Sequence, residues 1–354
     1  MIPDPPGGVR TVRRRRARYE RVAALLSSRG DGELAAWVDA APVAGVGVGG
    51  ATAVLDVDAV PVFVKRIALT DRERARPGST ANLFGLPMIC QYGIGSPGLN
   101  AWRELAANRI VTDAVLSGET ESFPLLYHWR VLPGRPRVPD DHVDLDTAVA
   151  ALGGAPAVRA RLDALRTASS SLVLFSEYVP YDLRDLLRRE PESRVGMVEE
   201  QLMHHVTVLG ARRILHMDAH FDNMRGDGER ILLTDFGLAT SPRFALSDVE
   251  RDFVRRNRSH DADYAAMRLV NWVVTAVCGV ATPTGGAPVA RNAYVRRCAA
   301  GHIPDEVSPV VADILTRYAP AAARMNSFYW ELFAARDARG AGSRAPDEPD
   351  GGPT

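Results

Sequence analysis

His216-Met217-Asp218-Ala219-His220-Phe221-Asp222-Asn223, followed by Arg230-Ile231-Leu232-Leu233-Thr234 and Asp235-Phe236-Gly237, decides how this chain is read. The first eight residues have no helical or alternating apolar period and predict a loop. Arg230 to Thr234 predicts a short strand, and Asp235-Phe236-Gly237 follows it directly. Asp218 and Asn223 are 223 − 218 = 5 residues apart, and Asp235 is 235 − 218 = 17 beyond Asp218. This spacing sets a carboxylate and an amide in one loop, with a second carboxylate at an adjacent strand end.

Upstream, Val43 to Ile67 predicts strand, glycine turn, strand, strand, with Gly45, Gly47, Gly49 and Gly50 crowding the first turn. The last of these strands carries Lys65, the one lysine among 43 lysines and arginines. A chain that writes arginine everywhere else has kept a compact ammonium on a flexible stem here, a group suited to gripping phosphate oxygens in a tight space.

Ala68 to Gly98, with Pro77, Pro87 and Pro97, is too long for a simple connection and predicts a folded insertion. Apolar residues at helical spacing predict a helix from Asn100 to Leu116. Phe123 to Leu132 and Ser171 to Tyr178 read as strands, and Val143 to Ala168 as a helical insertion broken at Gly153-Gly154. Helices follow at Asp182 to Arg188 and at about Val195 to Arg213, and the chain is helical from the Asp235 turn to about Phe333. Strands first and helices later predict an α+β fold.

At 354 residues the chain is long enough for a substantial core. A formal net charge of zero argues against a dedicated nucleic-acid binder. The basic run Arg13 to Arg16 lies in a Pro/Gly-rich start and reads as part of a solvated tail. Cys90, Cys278 and Cys298 are widely spaced and odd in number, which fits neither a disulfide framework nor a zinc site and suits a cytoplasmic protein. No apolar stretch is long enough for a membrane span.

The Asp218 loop resembles the His-x-Asp-x4-Asn catalytic loop of the protein-kinase-like superfamily, and Asp235-Phe236-Gly237 resembles its Asp-Phe-Gly metal motif. The resemblance covers about Val43 to Gly279. It implies a two-lobed fold, with residues 1–18 a disordered basic tail and 19–178 a small β-rich lobe with insertions at 68–98 and about 139–168. Residues 179–336 would form a helical lobe with the catalytic loop, and 337–354 a disordered tail. It further implies ATP and Mg2+ as cofactors and a hydroxyl-bearing acceptor. Asp218 would be the base, Asn223 and Asp235 the magnesium ligands, and Lys65 the clamp on the α and β phosphates. The glycine turn would cover the phosphates, and the Glu177 carbonyl and Val179 amide would bind adenine. A helix glutamate should aim Lys65; Glu104 is favoured over Glu73, which sits in a charged run.

Met217 stands where regulated protein kinases commonly place an arginine, no Ala-Pro-Glu follows Gly237, and His220 is typical of small-molecule kinases resembling aminoglycoside and choline phosphotransferases. The strand from Phe175 to Val179 and the run from Ile231 to Ala239 look more like protein kinases. An atypical serine/threonine protein or peptide kinase is the leading expectation. A small-molecule O-phosphotransferase is the alternative, and a silent nucleotide-binding scaffold the third. Asp261 or Asp263 is expected to brace the catalytic loop; Asp222 is either a further metal-side acid or a surface residue.

Overall fold

The computed structural model describes residues 7–47, 49–283 and 288–341, with side chains from 13 to 339. Two helices, α1 (Gly7–Ser27) and α2 (Asp31–Ala40), precede strands β1 (Val43–Gly47), β2 (Gly50–Val57) and β3 (Val60–Leu69). The first insertion opens with a single helical turn, α3 (Asp71–Arg74), and leads to α4 (Ala101–Leu116) and β4 (Leu126–Pro133). The second insertion holds α5 (Leu145–Ala151) and α6 (Pro156–Thr167), and β5 (Ser170–Glu177) returns to the sheet. The five strands are antiparallel in the order β1-β2-β3-β5-β4.

After β5 the chain is mainly helical. A small antiparallel sheet of β6 (Tyr181–Asp182), β7 (Met224–Gly226) and β8 (Ile231–Leu233) lies among α7 (Leu183–Leu187), α8 (Pro191–Arg212), α9 (Asp248–Arg256), α10 (His260–Trp272), α11 (Val289–Ala299) and α12 (Pro309–Ala341). The result is a mixed α/β molecule with its larger sheet in the N-terminal half and helices in the C-terminal part. One apolar core runs from Val22 and Leu26 of α1 through Val64 and Phe175 of the sheet to Phe221, Phe236, Leu269 and Ile314. No helix among the described residues is long and apolar enough to cross a membrane.

The expected disordered tail at 1–18 is corrected from Gly7 onward, where α1 begins. Arg15 is buried and donates to both carboxylate oxygens of Glu177, at 2.6 Å through Nη2, and to the carbonyls of Glu121 and Phe123. Arg18 adds a second cation at 3.1 Å from Glu177. A charge run therefore became a helix that docks on the end of β5, because one of its arginines found a buried carboxylate. At the other end α12 continues to Ala341, so residues 337–341 are helical. The expected disorder of 1–6 and 342–354 falls outside the described residues.

The two insertions share an apolar core of their own. Leu86, Cys90, Ile94 and Leu99 from the first pack with Val149, Leu152, Val158 and Leu162 from the second. Glu73 lies at the centre of this joint. Its Oε2 accepts from the Thr70 amide, closing a capping box on α3, and its Oε1 accepts from the Ala101 amide at the start of α4. Arg161 of α6 sits 2.8 Å from the same carboxylate, and both side chains are fully enclosed.

Candidate active site

Strand β3 pairs Lys65 with Thr52 on β2 and Leu174 on β5, and turns its side chain inward. Helix α4 presents Glu104 one turn after its start, which Asn100 caps by accepting from the Trp102 amide. The Lys65 ammonium donates to Glu104 Oε1 at 2.7 Å and to Asp235 Oδ1 at 2.8 Å. Three charges from three distant parts of the chain thus meet, and the choice between Glu104 and Glu73 is settled for Lys65: Glu73 faces Arg161 instead.

One of the four glycines in the turn is required by geometry, Gly50. A β-carbon at Gly49 would fall 2.9 Å from the Lys65 nitrogen, so a side chain there would press on the ammonium. Gly50 has φ +126°, and a β-carbon there would meet the Arg66 carbonyl at 2.3 Å. Gly47 faces open space, and at Gly45 the nearest atom is the Thr52 hydroxyl at 3.3 Å.

The loop carrying Asp218 is held from beneath by Asp261, in the first turn of α10. One carboxylate oxygen of Asp261 accepts from the His216 amide at 2.6 Å, and the other from the Met217 amide at 3.0 Å. Asp263 instead accepts from the Ser259 hydroxyl. Buried His216 bonds the Thr234 carbonyl through Nε2 at 2.9 Å and packs on the Phe236 ring, joining the loop to the Asp235 turn. Met217 and Asp235 both have positive φ, 68° and 58°, in a region costly for residues other than glycine. The backbone strain falls on the two ends of the candidate site.

The Asn223 amide nitrogen donates to the Asp218 carbonyl at 2.9 Å and to its Oδ2 at 3.3 Å. His220 Nδ1 accepts from the Asp222 amide, which puts its proton on Nε2, 3.7 Å from Asp218 Oδ2. Asp222 forms an ion pair with Arg184 at the surface, which removes it from the metal-side acids.

Burial and the nearby negative charge of Asp235 push the Asp218 carboxyl up to about 7. Burial also pushes Glu104 up to about 7 against the pull of Lys65, while Asp235 draws enough from Lys65 to stay below the usual carboxylate range despite its own desolvation. Burial, with Arg268 nearby, pulls His220 down to about 4, so the ring is neutral at pH 7. Among the described residues Lys65 is the one cation in direct contact with Glu104 and Asp235, while Arg137, Arg161 and Arg166 line the surrounding cavity farther out. Asp235 and Asn223 offer hard oxygen atoms of the kind magnesium takes, alongside waters and phosphate oxygens. Among the described residues no group of three or more His, Cys, Asp or Glu could hold a metal without such outside ligands.

Asp218, Asp235, Glu104 and the glycine turn line one cavity of about 260 Å3. Its lining also draws on both insertions and the approach to the second, including Gly93, Gly95 to Gly98, Pro136 to Pro139 and Leu162. Gly93 stands so near Asp218 that a β-carbon would lie 2.1 Å from Oδ1. Gln91 donates to the Leu238 carbonyl, and the Tyr92 hydroxyl donates to Asn257, which ties the start of the Gln91–Gly98 segment to the chain after Gly237.

Glu177 and Val179 stand apart from that cavity. Glu177 ends β5 and its side chain is taken up by Arg15 and Arg18, while the Val179 carbonyl accepts from Arg225. Sequence reasoning left Gly93 and Arg15 without a part; a glycine in a loop and an arginine in a basic run give no signal until their partners are known. No family model matches this chain, and no curated protein matches it.

Proposed function

We propose that this chain is an ATP- and magnesium-dependent phosphotransferase with a two-lobed, protein-kinase-like arrangement, moving the γ-phosphate to a hydroxyl group. The observation that carries the reading is Lys65 between Glu104 and Asp235, at 2.7 and 2.8 Å. Bringing Lys65 and Glu104 out of water, beside a partly exposed Asp235, is costly, and a hydrophobic packing of equal volume would serve stability as well. The arrangement has a use if the ammonium grips phosphate oxygens while Glu104 aims it and Asp235 turns its other oxygen to a metal ion. Bound magnesium would neutralise charge on the transferring phosphates. Asn223 and Asp235 would hold it, the glycine turn would lie over the phosphates, and Glu177 and Val179 backbone groups would take adenine. Asp218, raised toward neutrality, is tuned to accept the proton of the attacking hydroxyl.

The cavity favours a small acceptor over a peptide. An extended peptide needs a groove open at both ends beside Asp218. Here residues of the Gln91–Gly98 segment line the cavity beside Asp218, and the segment is held at its start by Gln91 and Tyr92 and at Gly95 by His142, leaving a partly enclosed space of about 260 Å3. The protein or peptide reading retains the likeness of the Phe175–Val179 and Ile231–Ala239 segments.

Calorimetry with Mg·ATP tests the reading: wild type should bind in a magnesium-dependent way, and Asp235→Ala should lose that dependence. Equal affinity in both proteins would remove the metal assignment.

A further inference from the structure

Arg103 and Glu104 are consecutive on α4 and point in different directions. Glu104 reaches Lys65. Arg103 reaches the segment after Gly237: its Nη2 donates to Glu250 Oε1 of α9 at 2.5 Å, with side chains 2% and 3% exposed. Its Nε donates to the Thr80 carbonyl at 2.7 Å, and the Thr80 hydroxyl accepts from the Ala245 amide at 2.8 Å. The guanidinium also lies 5.9 Å from the centre of the Phe244 ring. The other oxygen of Glu250, Oε2, closes the capping box of α9 with the Ser247 amide and hydroxyl, both at 2.9 Å. Glu250 thus ties the first turn of α9 to the first turn of α4.

We propose that Arg103 and Glu250 are positioning residues that hold Glu104 on Lys65 permanently, an internal latch that keeps the site assembled without any modification of the chain. The reason is mechanical. Helix α4 can withdraw Glu104 from β3 only by breaking an enclosed ion pair one residue away, which leaves a buried charge without its partner. Because the carboxylate is a side chain rather than an added phosphate, the closed arrangement is the resting one. The bearing of the latch on turnover rests on the phosphotransferase reading; its hold on Lys65 does not.

Lys65 being the one lysine, amine-reactive labelling reports on it directly. Acetic anhydride labelling, read by mass spectrometry with the α-amino peptide scored apart, should be slow in wild type and faster in Glu104→Gln. Glu250→Gln should speed labelling by about tenfold, and the Glu104→Gln/Glu250→Gln double variant should match Glu104→Gln alone, since both act through one contact. Wild-type labelling in a folded Glu250→Gln protein, or additive effects in the double variant, would overturn the latch. If Glu250→Gln does not fold, Arg103→Gln removes the guanidinium without adding a second amine and should also label faster at Lys65; a wild-type rate there would overturn it equally. Wild-type protein that fails to turn over Mg·ATP would remove the phosphotransferase reading and leave the labelling result standing.

Discussion

Gly93 rests against the carboxylate of Asp218, and a β-carbon on Gly93 would fall 2.1 Å from Oδ1. Since Gly93 does not have positive φ, alanine is compatible with its backbone, and the three nearest atoms to the added methyl would all belong to the Asp218 carboxylate. Gly93→Ala should displace the base and lower kcat by about 10²-fold, the usual order for a misplacement near 1 Å. Mg·ATP affinity should hold, because Lys65 and Asp235 are untouched. Steady-state kinetics beside calorimetry checks this, and an unchanged kcat would mean that Asp218 does no chemistry at its present position.

Asp218 should also give the reaction its pH dependence. Burial and Asp235 raise its folded pKa to about 7 from the 3.8 of a free carboxyl. The ionised form accepts the proton, so kcat/KM should fall as pH drops through about 7. The effect on stability has the opposite sense. A folded pKa above the unfolded one means that the native state binds the proton more tightly, so stability is lost as pH rises from about 4 to about 7. Asp218→Asn removes that loss and should stabilise the protein by about 1–4 kcal/mol at pH 8, with little gain at pH 4. Urea unfolding at the two pH values reads the difference.

Lys65→Arg keeps the charge and changes its shape. The ammonium sits 2.7 Å from Glu104 and 2.8 Å from Asp235, and a longer planar fork cannot keep both contacts from the same backbone position. Turnover should fall by about 10²-fold or more while the fold persists. Wild-type kinetics would show the single lysine to be incidental.

The Asp218, Asn223 and Asp235 set was legible because local spacing fixes it: five residues within one loop, then a short strand. Lys65 was legible from composition and strand period. The choice of Glu104 followed from helical pattern, but Asp261 over Asp263 could not, since both sit in the first turn of one helix and only the packing of α10 decides which faces the loop. Pairings across long separations were illegible in principle. Arg15 with Glu177, Arg161 with Glu73 and Arg103 with Glu250 each join residues far apart in sequence, and of these the Arg15 and Glu73 surroundings read as solvated charge. Burial turned those charges into the joints that hold the N-terminal helix, the insertions and α4 in place.

The Arg15 joint makes a prediction of its own. Arg15→Ala would leave the buried Glu177 carboxylate with only Arg18 at the rim, and should destabilise the protein by about 3–5 kcal/mol. Chemical denaturation with the full chain checks it. A change within about 0.5 kcal/mol would show that α1 contributes packing alone.

The most direct test follows the γ-phosphate. Label from γ-labelled Mg·ATP, incubated with wild-type protein and a cell extract, should appear in the small-molecule fraction and vanish with Asp218→Ala. Label confined to macromolecules would contradict the small acceptor, and the absence of Asp218-dependent label in every fraction would contradict phosphoryl transfer itself.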